Sequence, residues 1–141
     1  MSPTAPASDP ECIFCRIVAR TAPAYIVYED AEAIAFLDLF PFTRGHLLVV
    51  PKRHVPRLTD LPAEEHAGYL GALAKVCRRA ERLSTDYNIA LNQGAKAGQI
   101  IFHLHFHIIP RYDEGNPFHQ RPRDPLSSQE ANGLVATLSA P

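Results

Sequence analysis

The sequence lacks two features, and each absence excludes a class of protein. It has no strong net charge, because 14 Lys and Arg residues oppose 15 Asp and Glu residues for a formal charge of −1. Non-specific nucleic-acid binding rests on a basic surface, so we expect no nucleic-acid partner. Its apolar runs, such as Leu47–Pro51, fall far short of the roughly 20 residues that span a bilayer, so we expect no membrane partner either.

Cysteine is also scarce, with three residues in the chain. An odd and small number does not suit a disulfide framework, and it indicates thiols or metal ligands in a reducing compartment. Residues 1–10 lack the basic and apolar regions of a secretory signal. They consist mostly of Ser, Pro, Thr and Ala, which predicts a disordered leader. We therefore expect a cytoplasmic protein.

The rest of the chain predicts one folded domain over residues 11–112 and a C-terminal arm over residues 113–141. The 46% of apolar and 21% of charged residues are ordinary globular values, and 141 residues suit a single domain. The arm is rich in proline and polar residues, with a short helix predicted at Ser127–Leu138, where a serine can cap the first turn.

The pattern of apolar residues predicts an α+β fold on an antiparallel sheet of about five strands. Apolar residues spaced three and four apart up to Leu83 predict one long helix that starts near Asp60. A short helix is predicted at Cys12–Ala19. Runs rich in β-formers predict the strands, which are Tyr25–Glu29, Ala33–Leu37, His46–Val50, Tyr87–Leu91 and Ile100–Ile109. Clustered strands around one long helix favour this class over a βαβ alternation.

Three histidines alternate with apolar residues near the end of the predicted domain. Successive side chains of a strand point to opposite faces. One face would therefore carry the imidazoles of His103, His105 and His107, and the other would be core.

That imidazole face leaves two chemical interpretations open. Alternate residues of a strand lie ~6.6 Å apart, whereas a Zn–N bond measures only ~2.1 Å, so one metal does not hold all three rings. A metal can bind one or two of them with ligands from elsewhere. Alternatively, a neutral imidazole attacks an electrophile while its neighbour protonates the leaving group.

Further motifs occur in order with the histidines, and together they resemble the histidine-triad (HIT) superfamily. The resemblance is closest to the bacterial proteins of its Hint branch and covers roughly residues 11–112. The motifs are Cys12-x-x-Cys15, the segment 35–38, the segment Gly45–His54, Asn92 with Gly98-Gln99, and the histidine run followed by Ile108-Ile109-Pro110-Arg111.

The resemblance implies a HIT fold, a homodimer and an enzyme that attacks the α-phosphorus of a nucleotide. The implied substrates are purine nucleoside phosphoramidates or related nucleoside 5′-phosphoryl compounds. His105 would attack and form a covalent nucleotidyl-histidine, His107 would protonate the leaving group, and His103 would be a catalytic neighbour. No catalytic metal is implied.

The resemblance also implies a nucleotide-binding set. His46 and Gln99 would line the phosphate site, Asn92 would contact the phosphate or ribose, and Asp38 would accept from the ribose hydroxyls. The purine walls would be formed by Phe14, Ile17, Phe36 and Leu39. Taken alone, Asp38 is also consistent with a turn cap, and the two phenylalanines with an ordinary core.

A structural zinc site is implied by the same resemblance. Its ligands would be Cys12, Cys15, His54 and His103, a closed set of four with no position for an activating water. The alternative is a pair of free buried thiols. Cys77 lies on the predicted helical stripe and is interpreted as core.

Several points stay open at the level of the sequence. Ile100 stands where many family members carry Ser or Thr, which removes a hydroxyl from the phosphate site. The rival functions are a diadenosine polyphosphate hydrolase or phosphorylase, a nucleotide-binding protein with little catalytic activity, and a metal-dependent hydrolase. The segment 121–125 is interpreted as a solvated arm in preference to a cover over the site or a dimer partner, and His66 and His119 are assigned no role.

Overall fold

The computed structural model describes residues 8–114 and 123–141. Residues 1–7 of the expected leader and residues 115–122 of the arm, with His119 and Arg121, lie outside the described residues. The strands are β1 (Ile26–Glu29), β2 (Ala33–Leu37), β3 (Leu47–Pro51), β4 (Tyr87–Leu91) and β5 (Phe106–Pro110). The α-helices are α1 (Ile13–Val18), α2 (His66–Ala80) and α3 (Ser128–Ser139).

The five strands form one antiparallel sheet in the order β1-β2-β3-β5-β4. The predicted α+β class is therefore confirmed, with one long helix and shorter ones. None of the helices among the described residues is long and apolar enough to cross a membrane.

Both faces of the central strands are covered by helices, which is why β2 and β3 bury every residue. Alternate residues of β2 point to opposite faces. One face packs against α2 and α3 in a cluster that includes Ala35, Leu37, Val76 and Leu134. The other face packs against α1 in a cluster that includes Phe14, Ile17, Ile34 and Phe36. The second face is the one that carries the site.

The predicted strand Ile100–Ile109 is wrong at its start, because the ladder begins only at Phe106. Before Phe106, residues of this segment form hydrogen bonds outside the strand ladder. The Pro51 carbonyl at the end of β3 accepts from the ring of His103 at 2.7 Å, and the Leu104 N–H donates to the Val55 carbonyl. Only His107 of the three histidines lies in a strand. The alternation nevertheless persists, since Leu104 and Ile108 pack on the α2 side.

The long helix also begins later than predicted from Asp60. Two 3₁₀ turns, Leu58–Asp60 and Ala63–Glu65, precede α2. At its other end the N–H of Leu83 bonds three residues back to Ala80, so the α-helical pattern stops before the predicted end. The last helix matches its prediction within one residue, and Ser127 caps it by accepting from the Glu130 N–H.

Candidate active site and metal centre

His105 lies immediately before β5 and its ring borders a cavity. Its Nδ1–H donates to the His103 carbonyl at 2.7 Å. Because a carbonyl only accepts, the hydrogen is on Nδ1 and the lone pair is on Nε2. The ring is 8% exposed, and burial lowers the pKa of His105. His105 is therefore a neutral imidazole with one fixed tautomer.

His107 is held in the opposite tautomer by a chain of two hydrogen bonds. The Phe42 N–H donates to His46 Nδ1 at 3.0 Å, so the hydrogen of His46 must be on Nε2. That nitrogen lies 2.9 Å from His107 Nδ1 and donates to it. The remaining hydrogen of His107 is therefore on Nε2.

Burial keeps this pair of histidines uncharged. Burial is the largest cause that lowers the pKa of His46 to about 2, followed by the neighbouring charge of His107. Burial likewise lowers the pKa of His107 to about 4. The ring of Phe42 stacks on His46 at a centroid distance of 5.4 Å and excludes water from that side. At neutral pH both imidazoles act as hydrogen-bonding groups without a net charge.

The cavity beside the histidines has a volume of about 1240 Å³, which exceeds the roughly 300–1,000 Å³ of ordinary ligand pockets. Its apolar lining includes all four residues expected for the purine walls, which are Phe14, Ile17, Phe36 and Leu39. Its polar lining includes Asp38, Asn92, His105 and His107. Phe14 packs edge-on against His105 at 5.1 Å between centroids, so the apolar wall and the His105 ring are in direct contact.

Asp38 lies where the cavity meets the His46–His107 pair. Its Oδ1 accepts from the Phe40 N–H at 2.7 Å, which is the turn-capping role considered from the sequence. Its Oδ2 lies 3.6 Å from His46 Nε2. The carboxylate therefore caps a turn and also lines the cavity.

Two residues of the expected phosphate site lie behind the cavity surface and do not line it. The Gln99 amide donates to the carbonyls of Pro56 and Ile101, and its oxygen accepts from the Gly94 N–H. That amide fixes the loop between β4 and the histidine segment. His46 is 1% exposed and contacts the cavity lining from behind, through His107, Asp38 and Phe42.

Cys12, Cys15, His54 and His103 form a compact group, the thiol–imidazole cluster. Their ligand atoms all lie within 4.8 Å of one another. Cys15 Sγ lies 3.3 Å from His54 Nδ1, and both sulfurs lie 3.5 Å from His103 Nδ1. The two ring nitrogens are 3.3 Å apart. A tetrahedral zinc, with bonds of ~2.3 Å to sulfur and ~2.1 Å to nitrogen, places its ligands roughly 3.4–3.8 Å apart.

The cluster therefore fits a zinc ion in donor type, number and spacing. His103 is oriented for this role, because its Nε2–H donates to the Pro51 carbonyl and leaves the Nδ1 lone pair directed at the cluster. The same residue holds His105 through its backbone carbonyl. His103 thus links the thiol–imidazole cluster to the ring of His105.

A model of the HIT domain matches residues 19–114 of this chain. The chain belongs to the HIT family. An adenosine 5′-monophosphoramidase of Schizosaccharomyces pombe is 36% identical over 130 residues, covering 92% of this chain and 96% of the relative. An adenylylsulfatase of Arabidopsis thaliana is 37% identical over 103 residues, covering 72% of this chain and 52% of the relative.

Solved HIT structures agree with this assignment. A zinc-bound HIT-family protein of Mycobacterium smegmatis superposes with a TM-score of 0.75 at 40% identity, covering 92% of this chain and 94% of that one. A histidine-triad protein of Sulfolobus tokodaii gives a TM-score of 0.81 at 31% identity, covering 91% and 89%. The resemblance to the HIT superfamily and the fold it implied are both confirmed.

Sequence reasoning missed two residues of this HIT site. Phe42 lies in a loop, and its only sequence signal is an aromatic pair around Pro41. Arg123 belongs to the segment interpreted as a solvated arm, and it is an exposed residue that also contacts the site. Its guanidinium lies over the Phe42 ring, 3.9 Å from the centroid, and it lines the cavity. Charge alone does not distinguish such an arginine from a solvated one.

Proposed function

We propose that this HIT protein is a nucleotide hydrolase or transferase that attacks the α-phosphorus of purine nucleoside phosphoramidates or related nucleoside 5′-phosphoryl compounds. The observation that carries the proposal is the fixed tautomer of His105. A neutral imidazole with its Nε2 lone pair beside a cavity is a competent nucleophile. The phosphoramidase and adenylylsulfatase names of its relatives support the same chemistry.

In the first step, His105 displaces the leaving group from the α-phosphorus. The Nε2–P bond forms, the bond from phosphorus to the leaving atom breaks, and the electron pair of that bond departs with the leaving atom. His107 presents its Nε2–H to that atom. An amine needs a proton to depart, and the negative charge of the bound phosphate favours the imidazolium form of His107 that supplies it.

In the second step, water attacks the phosphorus of the nucleotidyl-histidine and gives up one proton, which His107 accepts at the Nε2 that released a proton to the amine in the first step. The Nε2–P bond breaks and its electron pair returns to His105 as the lone pair. The products are a nucleoside monophosphate and a neutral imidazole. The bond from Nδ1–H to the His103 carbonyl stabilises the positive charge that the ring carries while the adduct exists.

Nucleotide binding is proposed to follow the lining of the cavity. The purine lies between the apolar side chains Phe14, Ile17, Phe36 and Leu39, the ribose hydroxyls donate to Asp38, and Asn92 contacts the ribose or phosphate. Stacking and apolar burial supply the affinity, while the carboxylate orients the sugar.

We also propose that the thiol–imidazole cluster binds zinc, which supplies structural cross-linking and no catalytic chemistry. Four protein ligands close the coordination shell. The cluster joins α1, which carries Phe14, to the segment that carries His105. The four ligands of the cluster would therefore hold Phe14, part of the purine wall, against His105.

The decisive experiment looks for the covalent intermediate. The protein is mixed with adenosine 5′-phosphoramidate, quenched in milliseconds and digested, and the His105 peptide is examined by mass spectrometry. We expect an increase equal to one adenylyl group on His105 and none in the His105→Ala variant. Wild-type turnover by His105→Ala would contradict the proposal, and His66→Ala serves as the control on an exposed histidine.

The expected homodimer is retained as part of the proposal. β4 is an edge strand of the sheet, and its Ile89 is 48% exposed. An exposed strand edge with apolar side chains is suited to pairing with a second copy. Sedimentation velocity tests the prediction. A molar mass of one chain at micromolar concentration would contradict it.

A further inference from the structure

Arg123 lies outside the segment that matches the HIT domain, which ends at residue 114, yet it lines the cavity. Its Nε–H donates to the Phe40 carbonyl at 2.7 Å, and its guanidinium stacks on Phe42. The following backbone is anchored to the same loop, since the Leu126 N–H donates to the Leu39 carbonyl at 2.8 Å. Three contacts made by Arg123 and Leu126 thus hold this part of the arm against the loop that borders the site.

The cation borders the side of the cavity that His107 occupies. Its Nη2 lies 3.9 Å from Asp38 Oδ1. The carboxylate of Asp38 and the ring nitrogens of His46 and His107 lie within 4.8 Å of one another. After burial and the charge of His105, the positive charge of Arg123 is the third cause that lowers the pKa of His107. The guanidinium therefore lies beside Asp38, on the side of the cavity that carries His107, and its charge acts on that ring.

Most N–H donors of the Arg123 guanidinium have no hydrogen-bond acceptor among the described residues. The group has five N–H donors, and the Phe40 carbonyl takes the one on Nε. Within residues 8–114 and 123–141, Asp38 lies beyond hydrogen-bond distance at 3.9 Å, and its Oδ1 already accepts from the Phe40 N–H. The side chain is 34% exposed. Its planar fork is thus available to bind an oxyanion through two N–H groups.

We propose that Arg123 is a specificity-determining residue that binds a negatively charged leaving group, so that this chain prefers nucleoside 5′-phosphoryl compounds that release a phosphate or a sulfate over those that release a neutral amine. This proposal rests on the proposed function. It adds the substrate class to the α-phosphoryl chemistry assigned to His105.

The chemical step shows why a cation selects for such substrates. With a sulfate leaving group, the His105 Nε2–P bond forms while the P–O bond breaks, and the electron pair stays on the sulfate oxygen. Sulfate departs as a dianion without needing a proton, so negative charge grows beside the guanidinium and is stabilised there. An amine departs after protonation by His107 and carries no negative charge, so Arg123 contributes little to its release.

The test compares three substrates with one variant. Adenosine 5′-phosphosulfate and diadenosine tetraphosphate release anions, whereas adenosine 5′-phosphoramidate releases ammonia. For Arg123→Met we expect kcat/KM to fall roughly 10- to 100-fold on the anionic pair, the loss of one charge-assisted contact, and less than about 3-fold on the phosphoramidate. Arg123→Lys should recover part of the loss. Arg78→Met removes the same charge from an exposed position of α2 and is the matched control.

AMP binding distinguishes a leaving-group role of Arg123 from a role in nucleotide binding in general, because AMP carries no leaving group. Its Kd, measured by calorimetry, should be unchanged in Arg123→Met. An equal loss on all three substrates, weaker AMP binding to the same extent, or no loss at all would each overturn the proposal. A loss of kcat/KM confined to the phosphosulfate or to the dinucleotide supports the proposal and identifies which leaving anion Arg123 binds. Failure of the proposed function gives a different result, since the wild-type protein would then form no His105 adduct with any of the three.

Discussion

His46 and His107 lie 61 positions apart in the chain, and His46 Nε2 donates to His107 Nδ1 across 2.9 Å. The backbone N–H of Phe42 fixes the direction of this bond by donating to the other nitrogen of His46. A main-chain group thus determines which nitrogen of His107 carries hydrogen. We therefore propose that His46, which does not line the cavity, acts by positioning His107.

The first prediction concerns that hydrogen bond. In His46→Asn, His107 Nδ1 loses its donor, so both tautomers of His107 become accessible and Nε2–H is no longer enforced. We expect kcat on adenosine 5′-phosphoramidate to fall about 100-fold, the usual scale of one acid–base contribution, with a much smaller change in KM. Imidazole ¹⁵N chemical shifts of His107 report the tautomer directly.

The control for that variant is His66→Asn, the same substitution at an exposed histidine. A merely structural role for His46 would lower stability without moving the ¹⁵N signals of His107. Unchanged signals together with an unchanged kcat would show that the hydrogen bond has no catalytic consequence.

The second prediction concerns stability at low pH. Burial lowers the pKa of His46 to about 2 and that of His107 to about 4, whereas an unfolded histidine titrates near 6.5. The unfolded chain therefore binds more protons below pH ~6.5. The stabilisation from the neutral rings is complete above that pH and is lost as the pH falls towards the folded-state pKa values. Each ring steepens the loss by up to about 1.4 kcal/mol per pH unit.

Urea denaturation at pH 7, 6, 5 and 4.5 measures this slope. His46→Asn should flatten the dependence between pH 6 and 4.5, whereas His66→Asn should follow the wild-type slope. Zinc is kept at the same excess throughout, because protonation of its ligands would add a second pH effect. Parallel curves for His46→Asn and wild type would refute the assigned cause.

The third prediction concerns the thiol–imidazole cluster. Phe14 lies in α1 between Cys12 and Cys15 and contacts the rings of Phe36, His103 and His105. Loss of the metal should therefore loosen the purine wall as well as the fold. In Cys12→Ser/Cys15→Ser we expect loss of bound zinc by atomic absorption and an AMP Kd at least roughly 10-fold weaker, as for lost second-shell support.

Cys77→Ser is the matched control, since Cys77 is buried in α2 outside the cluster and should leave one zinc per chain. Chelation of the wild-type protein should reproduce the double variant, with melting temperature and AMP affinity falling together. AMP affinity that is unaffected by removal of zinc would separate the cluster from the nucleotide site.

The fourth prediction concerns Ile100, which lines the cavity and is 86% exposed. A side chain with so little burial contributes little to the core. Ile100→Ser should therefore leave the melting temperature nearly unchanged. The new hydroxyl can donate to an oxygen of the α-phosphate, and we expect kcat on the phosphoramidate to rise up to about 10-fold, the scale of one hydrogen bond to a charged group. Ile100→Ala, which removes bulk without adding a donor, distinguishes this gain from a steric one.

Local pattern was sufficient to predict several elements. The continuous apolar run Ala33–Leu37 predicts a strand, and the structure buries both of its faces by placing alternate residues in two separate clusters. Ser127 predicts the start of α3 because a cap needs only a hydroxyl within reach of the N–H three residues ahead. The His103–His107 alternation likewise predicts which side chains face the core, even though its ladder starts three residues later than the first histidine.

The sequence by itself determined which residue types and which local spacings are available for chemistry, namely two thiols one helical turn apart and three imidazoles on one side of the chain. Only the tertiary structure decided how distant groups meet. The approach of His54 to Cys15 and that of Arg123 to Phe42 depend on the order and register of the strands and on where the arm returns to the sheet. Local propensities cannot encode such contacts, because they form only when packing has brought together segments that are distant in the sequence.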